Sequence, residues 1–256
     1  SLLDTGSPTW LYLSDRLIQL PLGIFGIAVA TVILPTLSKA ANIGDKDTYQ
    51  NKFNWALKFV FLIGVPSAIG LYFLSIPIIS TLFLRGEFSS LDVLMTSYSL
   101  QAFCFGLIAF MAIKILNAAF FSQQNTKTPL YIAIFSLCIN VFLNWYLAFQ
   151  LGYGHIGLAL GSAIASILSL LILFFVLLKN SILILERSWL KFIFQILVSS
   201  IFLATFLIFV SDYFYVWTQL SLISQLGFLG ILISLGVFIY FASMIIFGFK
   251  VSFFRE

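Results

Sequence analysis

Charged residues are scarce in this sequence. Only 9% of its 256 residues are Asp, Glu, Lys or Arg, against about 25% in an ordinary soluble domain. Hydrophobic residues make up 61% of the chain, and the mean hydropathy is +1.11. A soluble fold of this size has too small an interior to bury that much apolar surface, and a disordered chain would need the opposite composition. The composition therefore indicates an integral membrane protein.

Cysteine and histidine are almost absent. The two cysteines, Cys104 and Cys138, both fall in apolar runs, so we expect small core residues rather than a disulfide framework. The one histidine, His155, lies in a short connection with no nucleophile, acid pair or second metal ligand nearby. No glycine-rich phosphate loop is present, so any energy source is not ATP bound to this chain. These absences make an enzyme the least favoured class of protein.

Long apolar runs are what the sequence has in abundance. Each has roughly the 20 residues that cross a bilayer as a helix, and each is continuous rather than alternating as barrel strands are. We therefore predict an all-α fold, a polytopic bundle of seven transmembrane helices. The runs lie near residues 10–36, 54–83, 93–121, 129–150, 156–178, 190–211 and 224–248.

The basic residues are divided unequally between the two sides of the predicted bundle. The side that holds the C-terminus has ten of them, and the opposite side has only Arg85. The positive-inside rule then predicts a cytoplasmic C-terminus and an external N-terminus. Because the basic residues are scattered between apolar runs and form no stripe, a nucleic-acid partner is not expected. The ten are Lys39, Lys46, Lys52, Lys58, Lys127, Lys179, Arg187, Lys191, Lys250 and Arg255.

An external N-terminus needs a signal peptide or an odd number of preceding helices. Neither is visible here, and the chain begins at Ser1 without an initiator Met. We therefore expect this chain to be the C-terminal portion of a longer membrane protein.

The first span carries the polar residues Asp15, Arg16 and Gln19. A charge inside a span costs about 2.5–3.5 kcal/mol on insertion scales, so such residues are functional candidates. Arg16 and Gln19 are three residues apart and share a helix face, which lets both point into a polar cavity. The planar guanidinium of Arg16 suits a phosphate-bearing ligand. The alternative is that Arg16 reaches the external interface and is neutralised by Asp15.

Two later spans carry further polar residues. Lys114 lies in the third span, and Asn117 shares its helix face. The Lys114 side chain either faces a cavity or extends towards the cytoplasmic interface. Asn140 and Asn144 share one face of the fourth span, because they are four residues apart. Their amides either form hydrogen bonds between helices, the commoner arrangement, or offer oxygens to a small cation.

Several segments resemble the lipid II flippases of the MurJ (MviN) family, within the multidrug/oligosaccharidyl-lipid/polysaccharide exporter superfamily. Residues 6–17, GSPTWLYLSDRL, are similar to the family pattern G-S-x-S-W-x-Y-x-A-D-R-L, and residues 33–39, ILPTLSK, to L-L-P-x-L-S-K. Residues 86–96 resemble G-x-F-x-x-x-D-x-x-x-T through Gly86, Phe88, Asp92 and Thr96. Residues 126–129, TKTP, resemble a loop that ends in K-T-P. These matches follow the family order over nearly the whole chain.

The resemblance implies a transporter of fourteen helices in two lobes, with this chain as the C-terminal lobe and the N-terminal lobe as its partner. Family members move the undecaprenyl-pyrophosphate-linked peptidoglycan precursor, lipid II, across the bacterial inner membrane by alternating access. The arginine of D-R-L, here Arg16, belongs to a basic central cavity. Residues from about 10 to about 189 would form the core helices of the lobe. The last two helices, at about 190–256, would line a groove for the lipid tail, in contact with membrane lipids.

Some family members bind sodium in this lobe. The resemblance implies Asn140, Asn144 and Ser162 as contributors, although no carboxylate accompanies them and the family's helix seven would lie outside this chain. No other cofactor is expected. Two alternatives to a flippase remain open: an exporter of drugs or another polyprenyl-linked saccharide from the same superfamily, and a non-transporting membrane scaffold in which Arg16 and Lys114 merely reach the interface. The substrate-binding residues predicted are Arg16, Gln19, Asp15 and Lys114.

Overall fold

The computed structural model describes residues 4–180, 188–211, 217, 220–250 and 253, and within them it is helical throughout. Ten α-helices follow one another, with two π-helical turns inserted. The helices are α1 (Ser7–Pro21), α2 (Ala28–Ile43), α3 (Lys46–Phe73), α4 (Ser75–Phe83), α5 (Ser90–Cys104), α6 (Leu107–Ser122), α7 (Lys127–Trp145), α8 (Gly154–Lys179), α9 (Ser188–Ser211) and α10 (Leu222–Ile246). The π-helical turns are Leu22–Ile27 and Tyr146–Gln150.

The predicted all-helical membrane bundle is confirmed. In the described parts of the chain, six helices have the length and apolar composition of a membrane span, and the bent pair α5–α6 makes a seventh if it counts as one span. The first span runs without interruption for 37 residues, Ser7–Ile43, through the π-helical turn that follows Pro21. Proline and π-helical turns are common causes of a bend within a helix.

Two predicted spans are broken in the structure. The run 54–83 divides at Leu74, because Pro77 has no N–H to donate to the carbonyl of Phe73 one turn earlier. The run 93–121 bends by 42° between α5 and α6. Gly106 lies at that bend, where a Cβ would stand only 2.8 Å from the Cα of Ala163. The bend therefore depends on a glycine that lets α8 approach closely.

Helix α6 forms the centre of the bundle. It packs against α2, α3 and α8, while α1 packs against α5, and α7 lies against α8. Most α6 side chains are buried, including Met111, Ile115 and Leu116. Cys104, just before this helix, is buried as expected. Helices α9 and α10 pack on each other, and α9 also packs on α3.

Helix α7 has a different character, because a broad apolar face of it is exposed. Leu130, Ile134, Leu137 and Val141 follow one another at helical spacing on this face, and each is more than half exposed. Such a face belongs against lipid. Cys138 is exposed on the same helix, so the expectation that it is a core residue is wrong.

Candidate functional site

The polar residues of α1 lie on the outer surface of the bundle. Arg16 and Gln19 are exposed, and Asp15 is half-buried. The Gln19 side chain donates a hydrogen bond to the Asp15 carboxylate one turn earlier. The Arg16 guanidinium lies 4.9 Å from the centre of the Tyr12 ring and has no hydrogen-bond partner among the described residues. The Arg16 donors are thus not used by any described residue, while Gln19 is held by Asp15.

Lys114 emerges from the most buried helix of the structure. Along α6 only Lys114 and Phe121 are exposed, and Phe110 and Asn117 are half-buried on the same side. The Asn117 amide oxygen is buried and has no hydrogen-bond partner in the part of the chain that the structure describes. An exposed strip this narrow, with an amine and an amide on it, differs from the broad apolar face of α7. It is the arrangement expected of a helix that faces a cleft.

Arg16 and Lys114 lie at different depths. Helices α2 and α6 run in the same direction: Gly26, just before α2, lies beside Met111, and beyond the end of α2 the hydroxyl of Tyr49, in the first turn of α3, donates to the Ala119 carbonyl at 3.1 Å. Arg16 precedes Gly26 by ten residues, whereas Lys114 follows Met111 by three. At 1.5 Å per residue, the two cations are roughly 20 Å apart along the helices. They cannot hold one diphosphate group at the same time.

An apolar groove of about 490 Å³ lies between the first helix and the last two. Leu17 and Leu20, the neighbours of Arg16 and Gln19 in sequence, line one wall. Leu203 and Leu207 of α9, together with Gly236 and Tyr240 of α10, line the opposite side. The helices predicted to hold a lipid tail therefore face the helix that carries Arg16.

The structure brings Asn140, Asn144 and Ser162 together across α7 and α8. The Asn140 amide donates to the Ser162 hydroxyl at 3.2 Å, and the Asn144 amide donates to the Asn140 carbonyl oxygen at 3.0 Å. The Ser162 hydroxyl donates to the Leu158 carbonyl at 3.0 Å. No described residue forms a hydrogen bond with the Asn144 amide oxygen, which is buried. The cluster thus provides the expected bonds between helices and leaves one buried oxygen available.

Sequence reasoning missed a cluster near the start of α1, the end away from Arg16 and Gln19. The Trp10 indole N–H donates to the Asp92 carboxylate at 2.7 Å, and the Trp10 ring packs edge-on against His155 with centroids 4.8 Å apart. Asp92 also accepts from the backbone N–H of Ser89, forming a capping box at the start of α5. His155 is a buried residue in the first turn of α8 and not part of a connection. This cluster joins three helices.

One signal for the Trp10 cluster was present in the sequence. Trp10 belongs to the first family-like segment, residues 6–17, and Asp92 to the third, residues 86–96, and the two residues are 82 positions apart. The sequence spacing of Trp10 and Asp92 does not indicate a contact between them. Only the folded structure shows that the indole of one segment bonds to the carboxylate of the other. Among the described residues, no three His, Cys, Asp or Glu side chains converge on a possible metal site.

Comparison with known proteins identifies the family. The family model for the lipid II flippase MurJ matches residues 1–228. The chain is 36% identical over 252 residues to the probable lipid II flippase MurJ of Vibrio cholerae, covering 98% of this chain and 48% of that protein. It is 32% identical to the lipid II flippase MurJ of Burkholderia cenocepacia, covering 100% of this chain and 49% of that protein. The chain therefore spans about half the length of the curated relatives it matches.

Solved structures agree with this relationship. A lipid II flippase MurJ in an inward closed conformation matches with a TM-score of 0.71 and 30% identity, over 95% of this chain and 48% of that one. An outward-facing MATE-family multidrug transporter matches with a TM-score of 0.62 at 14% identity, over 94% and 57% of the two chains, and so shares the fold alone. The chain belongs to the MurJ family of lipid II flippases.

Proposed function

We propose that this chain is the C-terminal lobe of a lipid II flippase of the bacterial cytoplasmic membrane, working together with an N-terminal lobe. The observation that carries the proposal is the exposed Arg16 guanidinium, which donates no hydrogen bond to any described residue, on the same helix whose Leu17 and Leu20 line the apolar groove. A lipid-linked diphosphate needs a cationic group for its head and an apolar surface for its tail. Arg16 next to Leu17 of the groove supports such a pairing in this lobe.

The mechanism follows from the cost of moving charge through hydrocarbon. A diphosphate group cannot cross the bilayer core without a hydrated, basic path, whereas its polyprenyl tail can stay in lipid throughout. In the expected orientation Lys114 lies nearer the cytoplasmic side and Arg16 nearer the external side. The roughly 20 Å between them then makes Lys114 an early contact and Arg16 a late one. Rocking of the two lobes would expose them in turn.

The polar residues around Arg16 would position it rather than bind the diphosphate. The Asp15 carboxylate accepts a hydrogen bond from the Gln19 amide, and the Tyr12 ring packs against one face of the Arg16 guanidinium. A guanidinium held on an aromatic ring keeps its remaining donors directed outward, which favours bidentate binding of a phosphate. The last two helices, starting at about residue 190, would hold the tail in the groove against α1.

A sodium ion is proposed for the cluster of Asn140, Asn144 and Ser162. In support, the Asn144 amide oxygen is buried and has no hydrogen-bond partner among the described residues, and a chain of hydrogen bonds runs from the Asn144 amide nitrogen to Asn140 and from Asn140 to the Ser162 hydroxyl. These are neutral oxygen donors of the kind that hard cations accept. A bound ion would hold α7 against α8. No transport step is assigned to it.

The test is reconstitution of the intact gene product in liposomes that contain fluorescent lipid II. We expect lipid II to become accessible to an external reagent several times faster than in protein-free liposomes. A second polyprenyl-linked saccharide and a cationic drug serve as competing substrates. Faster movement of either one than of lipid II would instead assign the chain to a sister exporter. No movement of any of the three would favour a scaffold.

A further inference from the structure

One face of α6 carries a stripe of four side chains that combines aromatic and polar chemistry. Phe110, Lys114, Asn117 and Phe121 follow one another at spacings of four, three and four residues, which places them on the same helix face. Lys114 and Phe121 are exposed, and Phe110 and Asn117 are half-buried. An aromatic ring therefore stands at each end of this α6 stripe, with an amine and an amide between them.

The α6 stripe differs from a surface made for lipid contact. The exposed face of α7 is apolar along its length, whereas the α6 stripe places an amine and an amide within an apolar span. Polar groups in hydrocarbon are costly, and in membrane helices they normally face a cavity or the interior of a bundle. The two polar residues therefore indicate that this stripe borders the path of a polar ligand.

Asn117 and Lys114 ask for different partners on that ligand. The Asn117 amide oxygen is an acceptor, and it is buried with no hydrogen-bond partner among the described residues. The terminal torsion of asparagine is broad, so the amide can turn to present either its oxygen or its nitrogen to the stripe. An ionised diphosphate diester offers only acceptors, which suit the Lys114 amine but leave the Asn117 oxygen unsatisfied. A sugar joined to the diphosphate supplies hydroxyl and N–H donors.

The order of groups along the α6 stripe matches the order of groups in a lipid-linked saccharide. Asn117 lies roughly 5 Å beyond Lys114 along the helix axis, and Phe121 roughly 10 Å beyond it. In the expected orientation this direction leads to the cytoplasm. A substrate that enters from the cytoplasmic leaflet has its tail in the membrane, then the diphosphate, then the sugar towards water. The Phe121 ring offers a face on which the C–H groups of a sugar ring can pack.

We propose that Asn117 and Phe121 form a subsite for the first sugar of the lipid-linked diphosphate, next to the phosphate contact at Lys114. The proposal rests on the proposed function, and it deepens that function by assigning recognition of the sugar to α6. Asn117 is then a specificity-determining residue, which favours a lipid that carries a sugar over the same lipid without one. Lys114 serves both lipids alike.

The test compares how three lipids bind to the intact gene product in detergent, measured by native mass spectrometry. The lipids are undecaprenyl diphosphate, the same lipid carrying one N-acetylated sugar, and lipid II. We expect the wild-type protein to prefer both sugar-bearing lipids. Asn117→Leu should reduce that preference about five- to tenfold, the effect of one hydrogen bond, and leave the Kd of undecaprenyl diphosphate unchanged. Asn117→Gln, which keeps an amide, should recover part of the preference, and Lys114→Gln should weaken all three lipids alike.

Two controls match the substitutions in the subsite. Phe121→Leu should also reduce the preference for a sugar, whereas Phe135→Leu, at an exposed phenylalanine of α7, should not. Asn180→Leu, at an exposed asparagine just after α8, is the control for Asn117→Leu and should leave all three Kd values unchanged. Should Asn117→Leu fail to fold, Phe121→Leu tests the same subsite, because its ring is exposed.

Three outcomes would overturn the proposal. An unchanged preference in both Asn117→Leu and Phe121→Leu would mean that the sugar is bound elsewhere, while the proposed function stands. An equal loss of affinity for all three lipids in these variants would mean that the two residues shape the cleft and do not recognise the sugar. Failure of the wild-type protein to bind any of the three lipids would contradict the proposed function, and the subsite with it.

Discussion

Asn144 and Gly161 show how one residue can decide whether two helices meet. The Asn144 side-chain oxygen lies directly over Gly161, where a Cβ would overlap it. The Asn144 amide donates to Asn140 on its own helix, and the Asn140 amide donates to Ser162 on α8. The spacing of four residues predicted that the two asparagines share one face of the helix. The need for glycine opposite them was not predictable, because it arises only when α7 and α8 are packed.

The first prediction concerns Gly161. We expect Gly161→Ala to lower the free energy of unfolding by about 1–3 kcal/mol, because the added methyl group forces α7 and α8 apart. If sodium binds between these helices, the variant should also lose any rise in Tm that NaCl gives over KCl. Thermal unfolding of the purified protein in detergent, in the two salts, measures both effects.

The matched control for Gly161 is Gly230→Ala in α10. A Cβ at Gly230 has no neighbour within 4 Å, so this change should be neutral or slightly stabilising. An equal loss of stability in the two variants would mean that helix backbone effects, and not the Asn144 contact, decide the result. Equal Tm values of the wild-type protein in NaCl and KCl would contradict the sodium proposal.

Arg16 and Lys114 illustrate what sequence alone leaves open at a site. Their residue types and their position within apolar runs identified both as candidates. Their relative depth depends on the parallel packing of α2 and α6 around Gly26 and Met111, which are far apart in sequence. The bond between Asp15 and Gln19 was not predicted either, because it competes with the expected pairing of Gln19 and Arg16 on one face.

At the scale of helices, apolar run length predicted the spans well and their breaks poorly. A run of 20 or more apolar residues needs a helix to satisfy its backbone in lipid, so the number and approximate positions of the spans follow from composition. The bend at Gly106 depends on the close approach of α8, and the break at Leu74 depends on the backbone N–H that Pro77 lacks. The π-helical turn after Pro21 has no distinct sequence signal.

The second prediction concerns the joint between α1, α5 and α8. We expect Trp10→Phe to cost about 1–2 kcal/mol of unfolding free energy, because it leaves the Asp92 carboxylate without its indole donor. Asp92→Ala should cost a similar amount or more, since it also removes the cap of α5. The double variant should cost less than the sum of the two, because both changes remove the same hydrogen bond. Thermal unfolding in detergent measures all three.

A control separates this joint from the general loss of an aromatic ring. Trp145 is half exposed on α7, so Trp145→Phe should leave the Tm nearly unchanged. Strict additivity of Trp10→Phe and Asp92→Ala would show that the hydrogen bond between them contributes nothing. In that case the two family-like segments would stabilise the fold independently.

On the scale of the whole molecule, the unequal distribution of basic residues predicts its orientation. The third prediction is that a fluorescent protein fused after Lys250 folds in the cytoplasm and fluoresces. A periplasmic alkaline phosphatase inserted after Gly86, between α4 and α5, should be active. The matched control exchanges the two reporters, and both should then be inactive. Phosphatase activity after Lys250 would reverse the orientation and, with it, the proposed order of Lys114 and Arg16.

The central claim is that Arg16 serves a lipid-linked diphosphate within a two-lobed flippase. The most direct measurement is rescue of bacteria depleted of their own flippase by a hybrid that joins the first lobe of a MurJ relative to residues 1–256. We predict rescue by the hybrid and by its Arg85→Ala variant, in which an exposed external arginine is removed. The Arg16→Ala variant, expressed and inserted equally well, should give none. Growth with Arg16→Ala equal to growth with Arg85→Ala would contradict the claim and leave Arg16 as an interfacial residue.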